Sequence, residues 1–391
     1  MLPELINHSP DLEKLRNDGY TVETHNNCVV VRDVPYLDES MKVIEDGVLV
    51  CAYEQIRPLT DHTFYFSGKP HKADGKALHV ASEATQEWNG FNVSTQLSFK
   101  KVVDDKPSNY NDYHEKVTYY INAIMSQARS INEFVNAQKH RVIDTSEQND
   151  TPFNYLDMNS SRAGIFNISE KLRGQKIAII GVGGTGSYIL DLVSKTPVAE
   201  IHIFDNDVFH SHNAFRTPGA APKGVLESPP KKVSYFAEIY KRMHKGVTPH
   251  EYDMLDDTIN ELEELNFVFL CIDNAPTKKV IIGKLVELKI PFVDCGIDVQ
   301  EVDNALNGTI RVTTVTPSKY DHIENRISYS AGNNGDYQSN IQIAELNALN
   351  AALAVIKWKR FFGFYHDHES EHHTTYMFNA SSLNNDEKIN S

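Results

Sequence analysis

"KIAIIGVGGTGSYI", residues 176–189, carries an apolar run into a knot of glycines and then into an apolar helical pattern. Gly181-Val182-Gly183-Gly184-Thr185-Gly186 contains G-x-G-x-x-G. Residues without side chains let a backbone approach a phosphate, and the helix start that follows offers free N–H groups and a positive dipole end. Helix packing alone would need fewer glycines. Taken by itself the stretch suggests a dinucleotide enzyme. The next strand, "EIHIFDND", ends in Asp205-Asn206-Asp207. A carboxylate at that tip is placed to accept both hydroxyls of a plain ribose, and an acidic turn facing water is the weaker explanation.

The residues downstream break the dehydrogenase reading. Asn213-Ala214-Phe215-Arg216 and then Pro230-Lys231-Lys232-Val233 bring cations to the same side of the sheet. A dinucleotide dehydrogenase has no need of two cations there. A triphosphate does, because Arg and Lys neutralise charge on an attacked α-phosphate and on departing pyrophosphate. Cys271-Ile272-Asp273-Asn274 closes another strand, and Asp273 is placed to hold the Mg2+ that a nucleoside triphosphate brings. Each element is weak alone, and Lys231 and Lys232 could be solvated. In this order, at strand tips, the set is specific.

Around these motifs, strands and helices alternate from residue 160 onward. "LNFVFLCIDN" (265–274) and "IPFVDCGI" (290–297) read as buried strands, with an acidic helix at 256–265 before the first. Continuous apolar strands alternating with helices predict an α/β, doubly wound, mostly parallel sheet. "NGTIRVTTVTP" (307–317) is less apolar and reads as antiparallel, residues 340–364 as a long helix, and "TTYMFNAS" (374–381) as a final strand.

This part of the chain resembles the ThiF family of adenylating enzymes, which includes ubiquitin-activating enzymes and the activators of sulfur-carrier proteins. The family's phosphate loop, G-x-G-G-x-G-S, matches Gly181 to Ser187. Its D-x-D matches Asp205 and Asp207, and its S-N-x-x-R matches Asn213 and Arg216, with His212 in place of the Ser. Its P-K-A lysine falls on Lys232, with Lys231 as runner-up, and its D-N on Asp273 and Asn274. Ser160-Ser161-Arg162 stands where the family supplies an arginine to the neighbouring subunit's ATP. The resemblance implies a homodimer that uses ATP and Mg2+ to adenylate the C-terminal carboxylate of a ubiquitin-like protein, with release of pyrophosphate. It assigns phosphate contacts to Gly181, Gly183, Gly184, Gly186, Arg216, Lys232 and Arg162, the ribose to Asp205, the metal to Asp273, and nucleotide-binding places to Asp207, Asn213 and Asn274.

Two departures stand out. Many relatives carry zinc on two C-x-x-C pairs, whereas Cys28, Cys51, Cys271 and Cys295 form no such pair, so no structural zinc is expected. Ubiquitin activators pass the acyl group to a cysteine near a crossover loop, but "SKYDHIENRISYSAGNNGDYQSN", 318–340, has none. Three outcomes stay open: direct release of the adenylate, an ester on Ser328, Ser330 or Ser339, or transfer to a partner's cysteine. Ser330, beside "AGNNG", is the best candidate for an ester. Cys271 and Cys295 read as buried structural thiols. "HDHESEHH" (366–373) reads as a solvated loop rather than a metal site. Other readings are adenylation of a peptide or a transfer-RNA group, a nucleotide-binding scaffold without catalysis, and last a nicotinamide oxidoreductase.

Residues 1–145 read as a separate α+β domain, 146–159 as a linker, and 160–391 as the adenylation domain. "NNCVVVRDVPYL" (26–37), "EDGVLVCAYE" (45–54) and "HTFYFSGK" (62–69) read as strands, and 110–137 as one long helix or two short ones. Asp61-His62, Phe66-Ser67-Gly68 and Asp112 to Lys116 could be pieces of a site or ordinary packing and turns. This domain is similar to one fused to bacterial ThiF-like proteins, some in operons with ubiquitin-like and conjugating-enzyme-like proteins, which implies a carrier- or partner-docking role. The formal charge of −15 argues against a nucleic-acid surface. The cysteine usage and the lack of a leader or membrane-length apolar run lead us to expect a cytoplasmic protein.

Overall fold

A computed structural model describes residues 9–78, 81–254, 258–329 and 341–388. The chain divides into two compact units, Met1–Ile143 and Asp144–Ser391.

The first unit is built on an antiparallel sheet. Helix α1 (Pro10–Asn17) precedes β1 (Thr21–His25), β2 (Cys28–Leu37), β3 (Val43–Ala52), β4 (Thr63–Phe66), β5 (Ala81–Trp88) and β6 (Phe91–Ser98), which pair in the order β1-β2-β3-β4-β6-β5. A small ribbon of β7 (Lys101–Val103) and β8 (Lys106–Ser108) leads to helix α2 (Tyr113–Arg129). The expected long helical segment is thus one helix. Asp112 starts it by accepting the Glu115 N–H at 2.8 Å. Its apolar face buries Val117, Tyr120, Ile121 and Ile124 in the same core as β2 residues Val29, Val31 and Val34. Lys116 is buried too, and its ammonium donates to the Asp61 carbonyl at 2.9 Å. His62 bonds Ser98 at 3.0 Å. These polar residues satisfy the fold of the unit.

The second unit meets the α/β expectation. In chain order it contains β9 (Lys176–Ile180), α3 (Gly184–Val193), β10 (Glu200–Phe204), α4 (Lys232–Tyr240), β11 (Val247–His250), β12 (Phe267–Leu270), α5 (Ala275–Glu287), β13 (Phe292–Val302), β14 (Ala305–Val315), α6 (Ala344–Phe361), β15 (Glu371–Met377) and β16 (Ser382–Lys388). One sheet runs β11-β10-β9-β12-β13-β14-β15-β16, parallel from β11 to β13 and antiparallel from β14 onward. On β9, Ile177 and Ile179 enter one core and Ala178 and Ile180 another. Phe267 and Phe269 alternate with Val268 and Leu270 on β12 in the same way. A strand buried on both faces must be apolar throughout, which is why these runs show no alternation. No helix among the described residues is long and apolar enough to cross a membrane.

Three local expectations are corrected. The acidic segment at 256–265 is not an α-helix; the described part forms a 3-10 turn, Ile259–Glu264, and residues 256 and 257 lie outside the described residues. Its many carboxylates leave Ile259, Leu262 and Leu265 to bury, a three-residue spacing that suits a 3-10 turn. The final strand at 374–381 begins earlier, at Glu371, and is followed by β16. This draws His372 and His373 out of the expected solvated loop into the sheet, where both are buried. His373 Nδ1 lies 3.0 Å from the Thr313 hydroxyl, a side-chain bond between neighbouring strands.

Candidate active site

Beyond the carboxyl ends of the parallel strands lies a cavity of about 820 Å³. Brought together on its lining are Gly181, Gly183, Gly184, Asp205, Asp207, Arg216, Lys232 and Asp273. This is the crevice where open α/β sheets hold ligands.

The glycines have distinct duties. Gly181 leaves β9 at φ +88°, and a Cβ there would lie 2.7 Å from the Cys271 carbonyl oxygen. Its N–H donates to the Phe204 carbonyl at 2.8 Å, which ties the loop to the tip of β10. A Cβ on Gly186 would run into the Gly181 carbonyl, and one on Gly184 into the buried Asn347 side chain. Gly183 differs, because a Cβ there would meet nothing within 4 Å. Three glycines therefore close the turn, and Gly183 leaves the backbone open to the cavity. Gly186 lies inside α3, off the cavity lining. Thr185 Oγ1 donates to Asn347 Oδ1 at 3.0 Å, fixing the helix start against α6.

The Asp205 carboxylate accepts the Val182 N–H through Oδ2 and the Asp207 N–H through Oδ1, both at 2.9 Å. It holds the loop itself, and the remaining lone pairs are those available to a ribose. Lys232, buried at the start of α4, sets its ammonium 2.5 Å from Asp207 Oδ2 and 3.4 Å from Asp205 Oδ1. That hydrogen bond holds the Asp207 carboxyl below the ordinary carboxylate range. Lys231 turns away, donating at 2.5 Å to the Asn206 carbonyl, and is off the cavity lining. Burial lowers the Arg216 pKa, opposed by Asp273 and Asp207. Its Nε is buried with no hydrogen-bond partner among the described residues.

Other expected site residues are placed differently. Asn213 is buried, and its Oδ1 accepts the His210 N–H at 2.8 Å, closing the helical turn Ser211–Ala214. Asn274 caps α5 by accepting the Thr277 N–H at 3.1 Å. Neither lines the cavity. Both are polar residues at helix starts, where capping competes with ligand binding for the same side chains. Arg162 is exposed at the end of the short helix Met158–Arg162 and does not line the cavity of its own chain. Ser330 and Ser339 lie outside the described residues, while Ser328 is on the cavity lining. Cys271, expected to be buried, is half-buried, and both it and Cys295 reach the cavity. The hydrogen bond with Cys271, together with burial, pushes the Cys295 thiol well up, away from the thiolate an acyl acceptor requires.

The far wall was missed by motif reading. Lys278, Asp294 and Arg311 form a cluster there: Asp294, fully buried, sits 2.8 Å from the Lys278 ammonium and 2.9 Å from Arg311 Nη1. An aspartate inside the apolar strand "PFVDCG" is the signal that points to such a partner, because a buried carboxylate needs a cation. Among the described residues no group of three or more His, Cys, Asp and Glu could hold a metal ion.

Residues 160–386 match the ThiF family, and residues 10–158 match a domain of unknown function, DUF6791. Ubiquitin-like modifier-activating enzyme 5 of Aedes aegypti is 24% identical over 197 residues, 48% of this chain and 47% of that protein. The protein of the same name in Drosophila melanogaster is 23% identical over 199 residues, 48% of this chain and 47% of that one. The chain thus spans about half the length of the curated relatives it matches. Among solved structures, E. coli MccB with MccA-N7isoASN aligns with 80% of this chain and 96% of its own at 13% identity and a TM-score of 0.48. PaaA aligns with 60% of this chain and 70% of its own at 14% identity and a TM-score of 0.46. The family match extends over more than half of the sequence, and the chain belongs to the ThiF family, with a further domain on its N-terminal side.

Proposed function

We propose that this protein is an ATP-dependent adenylating enzyme that activates the C-terminal carboxylate of a ubiquitin-like protein. The carboxylate attacks the α-phosphorus of ATP, a P–O bond forms, and pyrophosphate leaves with the bonding pair. The observation that carries the reading is the cavity itself, where an open glycine backbone at Gly183 faces Arg216, Lys232 and Asp273. Two cations and a backbone anion cradle suit a triphosphate and exceed what a dinucleotide needs. The buried, unpartnered Arg216 Nε agrees with a guanidinium built to meet an anion.

Within this reading Gly183 and the start of α3 hold phosphate, Asp205 the ribose, and Arg216 and Lys232 the charge that develops on the α-phosphate and the leaving pyrophosphate. Asp273 suits Mg2+, since that ion is held by one or two carboxylates plus phosphate oxygens and needs no dedicated protein cage. When bound, the ion would neutralise phosphate charge. The exposed Arg162 serves the neighbouring site of a homodimer. The N-terminal unit docks the carrier or a conjugating-enzyme-like partner, in a cytoplasmic conjugation system of bacterial type. Onward transfer goes to Ser330 or to that partner, because the crossover segment 318–340 carries no cysteine.

The test is pyrophosphate exchange into ATP in the presence of ubiquitin-fold proteins ending in glycine. Exchange that is lost in Asp273→Ala is expected. A wild-type enzyme that binds ATP yet exchanges with no carrier or peptide carboxylate defeats the reading. The intact mass of the enzyme after reaction reports whether an ester forms, and Ser330→Ala reports where.

A further inference from the structure

The cluster on the far wall of the cavity has an unbalanced charge. Lys278 and Arg311 share Asp294, so two cations meet one buried carboxylate. Asp294 is closed off from solvent, while both cations line the cavity, the Lys278 side chain 6% exposed and the Arg311 side chain, at 20%, the more open of the two. The excess positive charge therefore faces the cavity, and mainly through Arg311.

The guanidinium is also oriented. Among the described residues its hydrogen bonds all use Nη1, to Asp294 Oδ2 at 2.9 Å, Thr313 Oγ1 at 3.2 Å and the Arg326 carbonyl at 2.9 Å. The Nε and Nη2 edge has no protein partner among those residues. Arg311 pairs across the sheet with Gly296, and a Cβ at Gly296 would lie 2.5 Å from Nη2 and 3.1 Å from Nε. The strand is bare where the guanidinium lies. Asp298, two residues along the same face of β13, lines the cavity but makes no ion pair with Arg311 among the described residues. An arginine pinned by one end presents its other edge as a fixed two-donor fork, the geometry that grips a carboxylate in two bonds. The nucleotide's phosphates have cations elsewhere. The glycine loop follows β9, three strands from β14, which is roughly 14 Å at ordinary strand spacing.

We propose that the Nε/Nη2 edge of Arg311 anchors a carboxylate of the incoming protein tail, so that Arg311 is a substrate-selecting residue of this enzyme. The identity of the ligand rests on the carboxylate-activation reading above. The carboxylate can be the terminal one or that of an acidic side chain close to it, and the probes separate the two.

The experiment uses the full chain with Mg2+ and the non-hydrolysable analogue AMPCPP. The Arg311 Nε–H resonance, assigned by its loss in Arg311→Lys, is followed while three probes are added. They are N-acetylglycylglycine, N-acetylglycylglycinamide, and N-acetylaspartylglycinamide. A shift with the first assigns the terminal carboxylate, and a shift with the third assigns an acidic side chain. Arg311→Lys keeps a cation beside Asp294 but loses the fork, and weakens binding of the active probe by about tenfold in ligand-detected NMR. Thermal unfolding of Arg311→Lys and Arg311→Gln checks the fold, and the lysine variant suffices if the glutamine variant does not fold. No shift, an equal shift with the neutral peptide, or a shift produced by AMPCPP alone overturns the proposal. Carboxylate binding at Arg311 without pyrophosphate exchange would defeat the adenylation reading and leave this one standing. Exchange with N-acetylglycylglycine that is unchanged in Arg311→Lys, with no probe detected at the arginine, would do the reverse.

Discussion

Replacing Gly181 and Gly183 by alanine, one at a time, separates the fold of the phosphate loop from its use. Gly181 sits at φ +88°, and a methyl there would lie 2.7 Å from the Cys271 carbonyl oxygen. The backbone conformation alone costs a non-glycine residue roughly 1–2 kcal/mol, and forcing a methyl into packed surroundings adds about 1–3 kcal/mol. Gly181→Ala should then destabilise the second unit by about 2–5 kcal/mol, a fall of roughly 5–15 °C in Tm. At Gly183 a methyl would meet nothing within 4 Å, so that variant should stay within about 1 kcal/mol of the parent. The new methyl points into the space assigned to phosphate, however, and should weaken binding of AMPCPP at least tenfold. Differential scanning calorimetry with and without nucleotide reads both effects, because a ligand at 100 times its Kd stabilises by about 2.7 kcal/mol. Undiminished AMPCPP binding by Gly183→Ala would refute the assignment of that surface to phosphate. A Gly181→Ala protein melting with the parent would refute the packing argument.

Lys232→Ala should lower pyrophosphate exchange by roughly 10²–10³-fold, the usual loss when one charge-stabilising group is removed. It should also raise the Asp207 pKa, which that lysine holds down, and NMR titration of the Asp207 carboxyl reads that part. Burial pushes His244 and His373 down to about 4. Their ordinary value is about 6.5, so the unfolded chain binds protons first. Stability present above pH 6.5 should fall as pH drops toward 4, by roughly 3 kcal/mol for each histidine. Urea midpoints that stay level across that window would contradict it. Burial would raise the Glu371 carboxyl, but hydrogen bonds from Lys357 and Arg360 outweigh it and bring the pKa down to about 2. Glu371→Gln should therefore flatten the loss of stability between pH 4.5 and 2, as followed by acid denaturation. If Arg162 acts across a dimer, mixing Arg162→Ala with Lys232→Ala should restore about a quarter of wild-type exchange, because half of randomly reassorted dimers carry one whole site. No recovery after verified reassortment would place Arg162 elsewhere.

That the glycine loop, Asp205, Asp207 and Asp273 would meet at one cavity was legible because each follows directly on a strand, and Lys232 joins them from the start of α4. In a doubly wound sheet all such tips open on one crevice, so a linear pattern fixes a spatial neighbourhood. The two asparagines stand off that cavity lining for a local reason. Asn213 and Asn274 stand at helix starts next to true cavity residues, and sequence spacing cannot separate a cap from a ligand. His372 and His373 were misread because a charged, histidine-rich run resembles a loop until pairing with β14 supplies partners.

By itself the sequence determined the strand–helix alternation, the apolar strands buried on both faces and the glycine turn. Periodicity and backbone freedom are properties of neighbours along the chain. Tertiary structure decided what the far wall of the cavity is made of. Lys278 comes from α5, Asp294 from β13 and Arg311 from β14, and only the parallel and antiparallel registers of those elements set one carboxylate between two cations. A register shifted by one residue would send Arg311 to the other face of the sheet. Its guanidinium edge reaches the cavity through strand pairing, which no local motif encodes.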